Sequence, residues 1–232
     1  INCINGHGEY LRFGGQVMKN VAGYDLSRTL TGSFGTLAIL LDIHLKVLPR
    51  PEAEHTLTQT CTAAEAIERC NHWSASTIPL TAACYCEGRL VVRLSGTERG
   101  VADAASRLGG DTQPGDTSFW QDLKEQTLPF FAGDDSVWRL SLPPAHAPLD
   151  IDGQQLIDWG GAQRWLRSTR PAAEIRNTVQ AAGGHATLYR GGDRTGEVFH
   201  PLAANVMSLH QRLKASFDPQ AILNPGRMYA EL

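Results

Sequence analysis

The chain has 232 residues, 42% hydrophobic and 19% charged, with a formal net charge of −3. That is the composition of an ordinary globular protein with length for one large domain or two small ones, and it offers no basic surface for nucleic acid or an anionic membrane. No apolar run approaches the ~18 residues that suggest a membrane span, so the chain reads as a soluble, cytoplasmic protein.

Residues 1–12 (INCINGHGEYLR) read as a strand, a glycine turn near Gly6 to Gly8, and a second strand entering Arg12. A short helix is expected from Asp25 to Thr31, with Tyr24 at its start. The turn Gly32-Ser33-Phe34-Gly35-Thr36 follows, and then an apolar run from Leu37 to Leu48 that ends at Pro49 and Pro51. The flanking Gly and Pro and the β-branched content make this run a strand buried on both faces, although periodicity alone leaves a buried helix open. Glycines at 32 and 35 allow positive φ and let backbone N–H groups approach a ligand, while Ser33 and Thr36 add hydroxyls. Such a turn can equally be no more than a turn. The stiff Pro49-Arg50-Pro51 exit marks a domain boundary.

Beyond it the pattern changes. His55 to Cys61 alternates as a strand, and Thr62-Ala-Ala-Glu65 is a capping box opening a helix to about Ser74. Leu80 to Cys86 and Arg89 to Leu94 flank Glu87-Gly88, a two-residue hairpin signal. Thr97 caps a helix from Glu98 to Leu108 that stops at Gly109-Gly110. Strand, helix, strand, strand, helix is a ferredoxin-like order. A partial second copy is expected after a loop at 111–117: a helix from Ser118 to Gln126, strands at Ser136–Leu142, Gln155–Trp159 and Gln163–Arg167, a helix opened by Pro171, and a strand at His185–Arg190. Two such halves would build one antiparallel sheet with helices on one face. A last helix runs from Pro201 to Phe217, and Asn224-Pro225-Gly226 makes a turn near the end.

The five cysteines (Cys3, Cys61, Cys70, Cys84, Cys86) contain no CxxC pair, and the eight histidines show no metal spacing, so no metal site is expected. The cysteines read as small hydrophobes in a reducing compartment. Trp120, Trp138, Trp159 and Trp165 read as core or sheet-face residues, and no GxSxG nucleophile elbow is present.

The string KNVAGYDLSRTLTGSFGTL, with the strand and KVLPRP after it, resembles FAD-linked oxidases of the vanillyl-alcohol-oxidase type. Within them it is similar to flavin-binding subunits of bacterial glycolate oxidases. The resemblance extends to DWGGAQRWLRS (158–168) and to 191–229; Phe34 stands where most of that superfamily carries Glu. It implies an α+β fold: residues 1–51 as the second lobe of a PCMH-type FAD-binding domain, 52–199 as a ferredoxin-like antiparallel cap (substrate) domain, and 200–232 as a C-terminal segment with a helix returning to the flavin lobe. A lobe N-terminal to Ile1 is expected to carry the pyrophosphate-binding loop. FAD is the implied cofactor, contacted by Gly32, Ser33, Gly35, Thr36 and Ile39, by Asn224 of Asn-Pro-Gly, and by the upstream Lys19, Asn20 and Tyr24. The implied reaction takes glycolate, a 2-hydroxy acid, to glyoxylate, with electrons passing to an iron–sulfur subunit in a complex that also holds a larger flavin subunit and sits at the inner face of the membrane through these partners. Two other readings stay open: a flavin-binding or assembly subunit without substrate chemistry, and a dehydrogenase of D-lactate type. No residue is identified as the catalytic base or as the cation for the substrate carboxylate.

Overall fold

The computed structural model describes residues 1–15, 24–114 and 117–232. The fold class is α+β, and the chain divides into two units: Ile1–Leu48 with Pro201–Leu232, and Pro49–His200.

In the first unit β1 (Asn2–Asn5) is the middle of a three-stranded antiparallel sheet, between β2 (Tyr10–Arg12) and β3 (Ala38–Asp42). The turn between β1 and β2 is closed by Asn5, whose side-chain oxygen accepts from the backbone N–H groups of His7 and Glu9, each at 3.0 Å. Helix α1 (Tyr24–Leu30) leads into the glycine turn. The unit's core is Cys3, Leu30, Leu37, Ala38 and Phe217.

The apolar run 37–48 departs from expectation. Only Leu37 and Ala38 are buried; Ile39, Leu40 and Leu41 are about half exposed, and Leu45, Val47 and Leu48 are 79–86% exposed. The strand ends at Asp42, and β3 is an edge strand with β1 as its neighbour, so it is covered on neither face along most of its length. Apolar content recorded a preference for burial, and among the described residues no element of this unit meets it.

The second unit is an eight-stranded antiparallel sheet in the order β11-β8-β10-β9-β5-β6-β4-β7. Its first half comprises β4 (Ala53–Thr60), α2 (Ala63–Ser74), β5 (Leu80–Cys86), β6 (Arg89–Gly96), α3 (Glu98–Leu108) and β7 (Asp111–Pro114). After α4 (Ser118–Glu125), the second half comprises β8 (Val137–Ser141), β9 (Gln154–Asp158), β10 (Gln163–Arg167), α5 (Ala172–Ala181) and β11 (His185–Arg190). Numbered within its own half, each set of four strands lies in the order 4-1-3-2, and the halves join where β5 pairs β9. Where the first half has α2, the second has Pro143, Pro144 and Pro148, which cannot supply ladder or helix N–H groups.

Local signals explain most element ends. The Thr62 hydroxyl accepts from Glu65 N–H while the Glu65 carboxylate accepts from Thr62 N–H at 2.7 Å, and Thr97 caps α3 through Gly100 N–H. Glu87 and Gly88 have φ of 49° and 79°, the two positive angles that a tight hairpin turn requires. Three boundaries differ from the sequence reading. Residues 111–114 form edge strand β7 against β4 rather than loop; the last helix, α6 (Ala204–Phe217), starts three residues after Pro201; and Pro171 is the residue before α5. Helices also cover both faces instead of one. α2, α3 and α5 lie over Leu57, Val92, Leu94, Leu140 and Leu166, whereas α4 and a 3-10 turn at Pro129–Phe131 pack Trp120, Phe130 and Phe131 on Cys84, Val91, Leu156 and Trp165. Adjacent strand residues face opposite sides, so Ala83 and Cys84 belong to different layers. All five cysteines are free thiols, and burial pushes Cys70 and Cys86 up to about 11, so both stay protonated at neutral pH.

Leu94 is fully buried beneath α2 and α3. Leu94→Ala is expected to lower unfolding free energy by about 2–5 kcal/mol, and Thr62→Ala by about 1 kcal/mol, in urea titrations. Equal costs would contradict this division between core and cap.

Candidate functional site

In the first unit the glycine turn, the end of α6 and residues 221–226 are fastened together by one buried lysine. The Lys214 ammonium donates to the Thr36 carbonyl at 2.8 Å, the Asp218 carboxylate at 2.6 Å and the Leu223 carbonyl at 2.7 Å. Asp218, 1% exposed, also accepts from the backbone N–H groups of Ile222 and Leu223. Burial pushes the Asp218 carboxyl up, but the hydrogen bonds from Lys214, Leu223 and Ile222 and the Lys214 charge outweigh it and leave it below the ordinary carboxylate value. A Cβ on Gly6 would come within 2.2 Å of Asp218 Oδ1, which fixes glycine at that position in the β1–β2 turn.

The same strap sets Asn224 on the turn. Its side-chain amide donates to the Phe34 carbonyl at 2.9 Å, and a Cβ on Gly35 would lie 2.8 Å from that amide nitrogen. Gly32, Phe34 and Gly35 have φ of 79°, 52° and 72°, and Asn224 has 42°. For Phe34 this left-handed backbone is an unusual conformation, the kind found where surrounding contacts over-determine a loop. A turn of this form can gather backbone N–H groups into an anion-binding concavity.

Of the expected cofactor contacts, Gly32, Ser33, Gly35, Thr36 and Asn224 come together here, and Ile39 follows on β3, 53% exposed. Gly32 faces open space, with nothing within 4 Å of an added Cβ. Thr36 is buried and its hydroxyl donates to the Ser33 carbonyl at 2.7 Å, so it closes the turn. Tyr24 is the first residue of α1, and Lys19 and Asn20 lie outside the described residues.

A second constellation lies within the eight-stranded sheet. A cleft of 610 Å³ is lined by Thr81, Arg93, Trp120, Asp158, Trp159 and Gln163 among others, within the size range of small-molecule sites. Asp158 is 8% exposed; it accepts from Trp159 N–H at 2.8 Å and from the Gln163 amide at 3.2 Å. Burial raises its pKa, against those two hydrogen bonds and the Arg139 charge. Arg139 donates to Gln163 at 2.6 Å and lies over the Trp159 ring, 5.6 Å from its centre. Across the sheet, the Arg93 Nε donates to the Thr81 hydroxyl at 3.1 Å and sits 3.8 Å from Glu54, with the guanidinium over Trp120.

The corner carrying Asp158 is held rigidly. Trp159, Gly160 and Gly161 have φ of 50°, 61° and 107°, and a Cβ on Gly161 would fall 2.2 Å from the Pro144 carbonyl. Arg164, fully buried, donates to the carbonyls of Gly161, Ala147 and His146, and the Asn71 amide donates to those of Gly160 and Pro144. This accounts for the DWGGAQR segment: a lining carboxylate, a strained corner, and a buried cation that satisfies the corner's carbonyls.

The described architecture is thus α+β, with one unit whose glycine turn and Asn-Pro-Gly segment form one constellation and another that is an antiparallel sheet with a polar cleft. Comparison with known proteins gives that class a relative. Over 229 residues, 99% of its length, the chain is 48% identical to glycolate oxidase subunit GlcE of Escherichia coli (strain K12), and it spans 64% of that relative's length. It is also 42% identical over 57 residues to glycolate oxidase subunit GlcD of Bacillus subtilis (strain 168), 25% of this chain and 12% of that protein. No protein-family model matches. The chain is GlcE-like along nearly its whole length.

Lys214, Asp218, Asp158 and Arg93 were not singled out from the sequence. Lys214 and Asp218 carry only an i,i+4 signal before Pro219; Arg93 is a charge inside the apolar strand Leu90–Leu94, which was the stronger clue. Lys214→Met is expected to cost about 3–5 kcal/mol, because it leaves a buried carboxylate unpaired. Asp218 contributes stability that is fully present above its ordinary pKa of ~3.9 and is lost as pH falls through the lower folded value. Acid titrations followed by circular dichroism should therefore show wild type losing its margin over Asp218→Asn below about pH 4; a constant margin would contradict the linkage.

Proposed function

We propose that this chain is the flavin-contacting part of an FAD-dependent subunit that oxidises glycolate to glyoxylate and hands electrons to an iron–sulfur partner, in a complex with a larger flavin subunit. The observation that carries the reading is the seating of Asn224 on the Phe34 carbonyl at the glycine turn. Two segments separated by 190 residues, both belonging to the flavin-oxidase resemblance, form one surface.

The residues present fit FAD. Gly32 leaves its side of the turn open, Phe34 and Ile39 are half exposed, and the polar groups are main chain, a hydroxyl and an amide. Neutral donors beside apolar surface suit a flavin ring or adenine. Gly32, Ser33, Gly35 and Asn224 would hold the group, with Ile39 against it; Thr36 and Lys214 hold the turn itself. Lys19, Asn20 and Tyr24 complete the proposed contacts. When bound, FAD supplies the acceptor for the hydride that leaves the substrate α-carbon. Residues 52–199 act as the substrate domain in this reading, 1–51 as part of the flavin domain, and 200–232 as its returning segment. No described helix is long and apolar enough to cross a membrane.

The test is the visible spectrum of the full-length subunit, purified alone, before and after anaerobic glycolate. Bleaching of a flavin band is the expected result. A flavin band that persists would favour a relay or assembly role, and absence of flavin would reduce the resemblance to one of fold. Gly35→Val should weaken flavin binding roughly tenfold and so lower the flavin-to-protein ratio, since it both strains a φ of 72° and displaces Asn224, costing more than one hydrogen bond. An unchanged ratio would remove the turn from the site.

A further inference from the structure

We infer that the cleft in the eight-stranded sheet binds a 2-hydroxy carboxylate, with Arg93 taking the carboxylate and Asp158 the hydroxyl; this deepens the function proposed above and rests on it for the ligand class. Three features of the cleft select that chemistry.

The first is Arg93. A guanidinium has five N–H donors in a planar fork suited to a carboxylate. The Nε of Arg93 is committed to Thr81, and stacking on Trp120 fixes the plane, so the terminal amino groups are presented in a fixed orientation on the cleft wall. Glu54, 3.8 Å from Nε and itself accepting from the Ser95 hydroxyl at 2.7 Å, balances the charge without closing the fork in a bidentate pair.

The second is Asp158. A carboxylate accepts about four hydrogen bonds, and Trp159 N–H and Gln163 take two. The remaining capacity is for a donor, and a ligand hydroxyl is one. The group stays in place because its corner is locked by Arg164 and Asn71, and because Gln163 is in turn held by Arg139. Rigid support of this kind preorganises a binding group.

The third is the wall. Trp120, Trp159 and Trp165 line the cleft beside Leu80, Ala82 and Leu123, so apolar surface surrounds the cation and the anion that meet the ligand's adjacent carboxylate and hydroxyl. A dicarboxylate would set a negative charge against Asp158, and a simple carboxylic acid would offer Asp158 no donor beyond Trp159 and Gln163.

Two non-oxidisable probes separate the contributions: 2-hydroxy-2-methylpropanoate, which lacks an α-hydrogen, and 2-methylpropanoate, which also lacks the hydroxyl. Calorimetric titration into the full-length subunit in complex with its partners should show the hydroxy acid binding about tenfold more tightly, the size expected for one charge-assisted hydrogen bond. Asp158→Asn should bring the two probes close to equal affinity while leaving the deoxy acid nearly unchanged. Arg93→Gln should weaken both about tenfold or more. The sheet signal in circular dichroism serves as the control for folding in both variants, whose contacts lie in the second unit. Binding of neither probe to the wild type, an undiminished preference in Asp158→Asn, or unchanged affinities in Arg93→Gln would each overturn the inference. Glycolate turnover with an unaltered KM in Arg93→Gln would overturn it while leaving the proposed function standing. Probe binding with this pattern in a subunit that carries no flavin would sink the proposed function and leave the cleft assignment intact.

Discussion

The first unit depends on a single buried ion pair. Lys214 and Asp218 stand one helical turn apart at the end of α6, and between them they satisfy the Thr36 and Leu223 carbonyls and the Ile222 and Leu223 N–H groups. Taking both charges out of water is costly, and such a pair adds little net stability compared with apolar residues of similar volume. What it supplies is definition. Every hydrogen bond of the lysine ends on a different segment, so the C-terminal turn has one place to sit, and Asn224 is carried onto Phe34 as a consequence. The positive φ values at Gly32, Phe34, Gly35 and Asn224 are tolerable because this network over-determines them.

In the second unit the equivalent constraint is Arg164. A fully buried guanidinium with no carboxylate partner among its hydrogen bonds is unusual, and burial lowers its pKa from the ordinary arginine value. Its hydrogen bonds go to carbonyls at the Gly160-Gly161 corner and the 146–147 segment. The result is a rigid shelf at the end of β9 on which Asp158 and Trp159 are displayed. In both units a buried cation satisfies the carbonyls of an irregular loop.

What was legible in the sequence was local. The capping box at Thr62 and Glu65, the Glu87-Gly88 hairpin, the Thr97 cap and the glycine stop after α3 are set by interactions within four residues, and they stand where the sequence put them. The gathering of turn 32–36 with Asn224 could be expected only through resemblance, since no spacing rule joins residues 190 apart. Lys214 read as one more polar position on an amphipathic helix, because its partner Thr36 lies 178 residues away. The exposed run from Ile39 to Leu48 shows the opposite limit: composition states which side chains favour burial and is silent on which element meets them. Helix α4 was read correctly as a helix, but the face it covers follows from pleat alternation across several strands, which only the assembled sheet defines.

The most direct measurement is the flavin-to-protein ratio of the full-length subunit carrying Lys214→Met, purified alone and compared with wild type, with sheet content followed by circular dichroism. The expected result is loss of most of the flavin while the sheet signal of the second unit is retained, because Asn224 and the glycine turn lose their common anchor. Full flavin occupancy in that variant would contradict the central role given to the buried pair.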